Sequence, residues 1–169
     1  MAAAVVLVVL AGACGGGGSS VPDIPGVTVE RAPGRAHRQG KIDYPGKKPP
    51  SGGDHNPTPL TCGFYDQQPP DEFAVHSLEH GAVWIAFGPS TSPTDVQTLR
   101  AFAALDHVIV SPYAGMGAPI TLVAWEHRLE LQSATDPRLK QFVDGFRNGS
   151  TAPERGAACA GAGQPVPAA

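Results

Sequence analysis

The chain has 169 residues and a net charge of −3, with 12 Lys and Arg against 15 Asp and Glu. That length is one domain's worth, and 16% charged residues with no basic run is not the electrostatic footprint of a nucleic-acid binder, so that class is set aside. The 18 prolines and 21 glycines gather towards the two ends, which makes the well-packed part smaller than the length suggests.

Residues 1–13 form an apolar run ending Ala11-Gly12-Ala13, followed by Cys14. The run is too short to span a bilayer but fits a signal peptide. A small residue before Cys14 and the Gly/Ser stretch behind it predict lipid attachment at Cys14 and hence a membrane partner. Two features depart from that pattern: no Lys or Arg precedes the run, and Ala11 stands where lipoproteins carry Leu. Soluble secretion is the alternative. With Cys14 lipidated, Cys62 and Cys159 remain as an even pair in an oxidising compartment. A bridge between them would close a loop of nearly one hundred residues, which stabilises by about 4–5 kcal/mol in the chain-entropy model.

Residues 14–41 read as tether and linker, with Arg31, Arg35, His37 and Arg38 as a solvated basic patch. Residues 42–74 hold seven prolines and no visible period, yet Tyr44, Leu60, Cys62, Phe64 and Tyr65 are too apolar for a free linker. They predict a segment wrapped around and tied to a domain. Val75-His76-Ser77-Leu78-Glu79-His80-Gly81 then compresses two histidines and a carboxylate into five residues and stops on glycine. If the turn before Gly81 is helical, His76 and His80 are i and i+4 on one face.

The segment 83–87 is apolar on both parities and predicts a strand covered on both faces. Ser92-Pro93-Thr94-Asp95 starts a helix with a stripe of Val96, Leu99, Phe102 and Leu105. A short strand at 107–111 follows. The segment 120–131 reads as a single strand; one of its parities changes from apolar to Glu126, Arg128 and Glu130, as at a sheet corner or edge. Asp136-Pro137 opens the last helix, with Leu139, Phe142, Val143 and Phe146 in helical spacing and Asn148-Gly149 at its stop. The order β-α-β-β-α predicts a small α+β domain over 42–159, its regular core at 75–148 and its helices packed on a short sheet. Residues 160–169 read as a disordered tail.

His55-Asn56-Pro57, Cys62-Gly63-Phe64-Tyr65, the VHSLEHG run with Ala82-Val83-Trp84, Ser111-Pro112-Tyr113, Ala124-Trp125 and the stretch from Pro153 to Cys159 together resemble an uncharacterised bacterial family. Its members are secreted or membrane-attached and form a domain of unknown function with the VHSLEHG signature. The resemblance implies an extracytoplasmic location and a paired Cys62–Cys159; it implies no activity.

The chemistry of the central run allows three classes. A transition-metal site would use His76 and His80, joined by His55 from the wrapped segment, with Glu79 in or just behind the ligand set and Met116 at the rim. Imidazole with thioether would favour copper(I), and imidazole with carboxylate would favour zinc. His76-x-x-Glu79-His80 also matches the inverted zinc-protease motif, for which Glu126 or Glu130 would have to be the third ligand. The remaining class is a non-catalytic cell-surface interaction module, with an unidentified protein partner, in which the run is structural. Met116 between glycines is also an ordinary loop-packing residue, and His107 and His127 read as strand residues.

Overall fold

The computed structural model describes residues 21–161; Cys14, the expected signal peptide and most of the expected tail lie outside the described residues. The elements run β1 (Thr28–Val29), β2 (Gly63–Phe64), α1 (Asp71–Glu79), β3 (Val83–Phe87), α2 (Pro93–Phe102), β4 (Val108–Pro112), β5 (Ile120–Ala124), β6 (His127–Leu131) and α3 (Arg138–Phe146). They form an α+β fold on one mixed six-stranded sheet in the order β1-β6-β5-β3-β4-β2. β3 lies parallel to β4 and antiparallel to β5.

The double apolar parity of β3 has the expected consequence. Val83 and Ile85 enter the core built with Leu99 of α2 and Leu139, Phe142, Val143 and Phe146 of α3. Trp84 and Ala86 enter a second core on the opposite face, with Ala74, Val75 and Leu78 of α1, Leu60, Tyr65 and Trp125. The sheet is therefore the middle of three layers, and α1 lies on the face that also carries the proline-rich segment. On α2 only Leu99 of the expected stripe is fully buried; the helix ends at Phe102 and Leu105 is 39% exposed.

The segment 120–131 is a hairpin rather than one strand. Ala124 pairs with His127, which leaves Trp125 and Glu126 as the turn, with Glu126 at φ 60°. The change of parity that reads as a sheet corner is the reversal itself. A hairpin of this length returns β6 alongside β5 and gives the N-terminal segment an edge to join.

Residues 24–38, expected to be tether, are part of the domain. β1 pairs antiparallel with β6, the Glu30 amide donates to the Glu126 carbonyl (2.7 Å), and Ile24 is buried in the α2/α3 core. The anchor is Arg128, which the alternation placed outside the core and which is only 1% exposed. Its Nε donates to Glu30 Oε1 (2.8 Å) and its terminal nitrogens donate to the carbonyls of Lys48 and Pro49. One buried cation thus ties the N-terminal segment and the proline-rich segment to the sheet. A short polar segment held by one charge and a few backbone bonds carries no hydrophobic period, which is why its docking is illegible in the sequence. Arg128→Ala removes the buried partner of Glu30 and of two carbonyls; urea unfolding is expected to show a loss of about 3 kcal/mol, as for a broken buried pair, with Glu30 itself 24% exposed and still bonded to Ser51 Oγ.

Candidate functional site: a buried histidine–glutamate cluster

The cluster is organised by the end of α1. Asp71 and Glu72 occupy the first turn, where acids favour the helix dipole. At the other end His80 is the C-cap and Gly81 adopts φ 101°, the left-handed conformation that glycine takes without strain. The Gly81 amide donates to Leu78 O (3.0 Å) and the Ala82 amide to Ser77 O (2.9 Å), the pair of bonds that closes a Schellman stop. The helix therefore runs to the glycine, and His76 and His80 share a face: their Nε2 atoms are 2.9 Å apart.

His55 reaches the same place from the wrapped segment. It is fully buried, and its backbone is bridged to the N-terminal strap through His55 N to Ala36 O (3.0 Å) and Arg38 N to His55 O (2.8 Å). Asp54 strengthens that junction by accepting from the Ala36 amide and from Arg38 Nε. The strap carries His37 over the cluster, its ring stacked on His76 at 4.9 Å and edge-on to His55 at 5.0 Å. One ligand atom from each of His37, His55, His76 and Glu79 lies within 4.8 Å of every other.

Backbone carbonyls orient three of the rings. His55 Nδ1 lies 2.8 Å from Gly53 O, His76 Nδ1 2.6 Å from Asn56 O, and His80 Nδ1 2.8 Å from Ala158 O. A carbonyl only accepts, so each Nδ1 carries a hydrogen, and in its neutral form each ring presents a lone pair at Nε2. With the rings neutral, two contacts join acceptors: His76 Nε2 against His80 Nε2, and His55 Nε2 against Glu79 Oε2, also at 2.9 Å. Glu79 is 2% exposed, and neither its Oε2 nor His55 Nε2 has a hydrogen-bond partner. Glu79 Oε1 is approached by Arg35 Nε at 3.3 Å from the outside.

Burial pushes the His76 imidazole down to about 4, assisted by the neighbouring histidines and opposed by its bond to Asn56 O. Its folded value is thus below the ordinary 6.5, so the unfolded chain takes up the proton first. Stability from neutral His76 is complete above about pH 6.5 and is lost as the pH falls towards 4. For the metal-free domain, urea unfolding at pH 7 and pH 4.5 is expected to differ by on the order of 2 kcal/mol from this group, a difference that His76→Gln removes.

Of the residues expected at the site, the fold brings His55, His76 and Glu79 together. His80 touches His76 but lies outside the four-membered group, and His37, expected to be solvated linker, takes its place. Met116 is elsewhere: its methyl group lies beside Gly88, beyond the far end of β3, where it packs on the sheet as a loop residue. Glu126 spends its carboxylate on the Ala32 amide (2.8 Å), and Glu130 is exposed on β6. His107 and His127 are bonded to the carbonyls of Ala157 and Trp125. Cys62 and Cys159 form a disulfide. The signal for His37 is only its proximity in sequence to the Arg35 and Arg38 patch, which is compositionally a linker.

Fold and cluster together define a three-layer α+β domain with histidines and a carboxylate buried under an N-terminal strap. The chain belongs to the family described as Protein of unknown function (DUF3105), whose model matches residues 36–161. That span includes His37, the rest of the cluster and both paired cysteines. No curated protein and no solved structure matches the chain significantly.

Proposed function

We propose that this domain binds a divalent transition-metal ion, zinc before copper, through His55, His76, His37 and Glu79, on the outer side of a membrane to which Cys14 lipid attaches it. The observation that carries this reading is the pair of acceptor contacts in a buried cluster whose rings are already oriented by carbonyls. Such Nδ1–H bonds to backbone oxygen are the usual way a protein aims Nε2 at a metal. The donor set is nitrogen and carboxylate oxygen; Met116 is distant and the described cysteines are joined, so the thioether that would favour copper(I) is missing from it. Binding is favoured over hydrolysis because Glu79 is 2% exposed, with the His55 ring against Oε2 and Arg35 at Oε1, rather than open to solvent as a general base. The large open groove of about 580 Å³ is lined by Tyr44, Lys48, Asp71 and Tyr113, at the opposite end of α1. The Cys62–Cys159 bridge supports an oxidising compartment.

The test is metal analysis and zinc titration of the full chain, purified with its disulfide intact. One equivalent of tightly held zinc is the expected result. A folded protein that takes up neither zinc nor copper would mean that protons satisfy the cluster and that the VHSLEHG run is structural.

A further inference from the structure

Two histidines at the edge of the cluster reach solvent, His37 and His80, and the exposed charge beside each differs. On the strap side His37 is 49% exposed, but Arg35, 55% exposed, stands beside it with its guanidinium on Glu79. A cation arriving there meets a fixed positive charge. On the other side His80 is 11% exposed, and its Nε2 lies 3.7 Å from Oε2 of Glu154, which is half exposed. Glu154 is held in place by its own amide, which donates to Glu79 O (2.9 Å), and the Gly156 amide donates to His80 O (3.1 Å). The same short segment supplies Ala158 O to His80 Nδ1 and ends at the disulfide through Cys159. The segment thus fixes the His80 ring so that its lone pair faces both Glu154 and His76.

We propose that His80 and Glu154 form an outer docking position at which a divalent cation is captured and from which it is handed to His76 and the inner cluster. This rests on the metal-binding reading. The transfer is a ligand exchange: the ion, held by Glu154 Oε2 and His80 Nε2, forms a bond to His76 Nε2 as its bond to Glu154 breaks. Two imidazole nitrogens 2.9 Å apart can grip one ion at once, since bonds of about 2.0–2.1 Å to each subtend an angle of about 90°. The ion therefore never has to be released between His80 and His76. Its bond to His80 is then exchanged for one within the inner cluster, where His55 and Glu79 wait with unpaired buried atoms. A carboxylate at an entrance accelerates cation capture, and salt screens that advantage.

The experiment is stopped-flow uptake of Co²⁺ by the metal-free, disulfide-bonded full chain, followed by the visible absorption of the bound ion, with release measured by chelator challenge. Glu154→Gln, at a half-exposed position, is expected to slow uptake about tenfold at low salt, with the difference shrinking at high salt. Release slows with it, so the ratio of the two rates stays within about threefold. His80→Gln is expected to slow both rates further. Unchanged uptake in Glu154→Gln and His80→Gln overturns the entry route. So does faster uptake in Arg35→Gln alone, which would place the entrance at His37. A large loss of affinity with unchanged uptake would make His80 an ordinary equilibrium ligand. If the wild-type protein binds no Co²⁺ or zinc, the metal-binding reading fails and the route with it.

Discussion

In zinc at one hundred times its dissociation constant, the wild-type domain is expected to melt roughly 5–10 °C higher than without metal, and His55→Gln and His76→Gln should show no such shift. The figure follows from mass action: ligand at that excess stabilises by about 2.7 kcal/mol, and a domain of this size gains roughly 2–4 °C per kcal/mol. Loss of a group that merely orients a ligand costs ten- to a hundredfold in metal affinity, so loss of a ligand should cost at least about a hundredfold. Gln is chosen because it fills most of the imidazole volume and carries polar atoms, which matters for His55 with its ring fully buried. Glu79→Gln adds a test of charge: it keeps the shape beside His55 while removing the carboxylate, and zinc affinity should again fall. A zinc-dependent shift that survives in both histidine variants would remove the cluster from consideration as the binding site. Calorimetry on the same proteins gives the stoichiometry directly.

Replacing Cys62 and Cys159 together by alanine is expected to lower stability by about 4 kcal/mol, because the bridge spans 97 residues and closes a loop that holds all three helices and five of the six strands. The effect should have a local component as well. The bridge holds the segment that donates from Glu154 N and Gly156 N to the end of α1 and presents Ala158 O to His80. Without it, amide exchange at 154–159 should quicken well before the sheet opens, since the rest of this segment is held mainly by backbone bonds at the surface. The slowest-exchanging amides of β3 and β5 would then report the global loss alone. Equal protection of 154–159 in the bridged and unbridged proteins would show that backbone bonds suffice to hold the clamp.

By itself the sequence determined the elements that carry a strong period or a local stop. β3 shows its burial on both faces in its own composition, α3 shows its core stripe at Leu139, Phe142, Val143 and Phe146, and Gly81 marks the end of α1. Those signals are local, set by side-chain spacing and by one residue's φ preference. From the same information came the shared face of His76 and His80 and the attachment of the proline-rich segment that brings His55. The tertiary structure decided what no local pattern encodes. It made a hairpin of 120–131, buried Arg128, and used that cation to dock residues 24–38, which read as tether. That docking places His37 over His55 and Glu79, while Met116 is carried to the far end of β3 by the chain reversal that follows β4. The docking depends on backbone hydrogen bonds and a single buried charge between segments roughly 20–100 residues apart. Such contacts have no periodicity to read, and only the closed sheet defines which distant atoms meet.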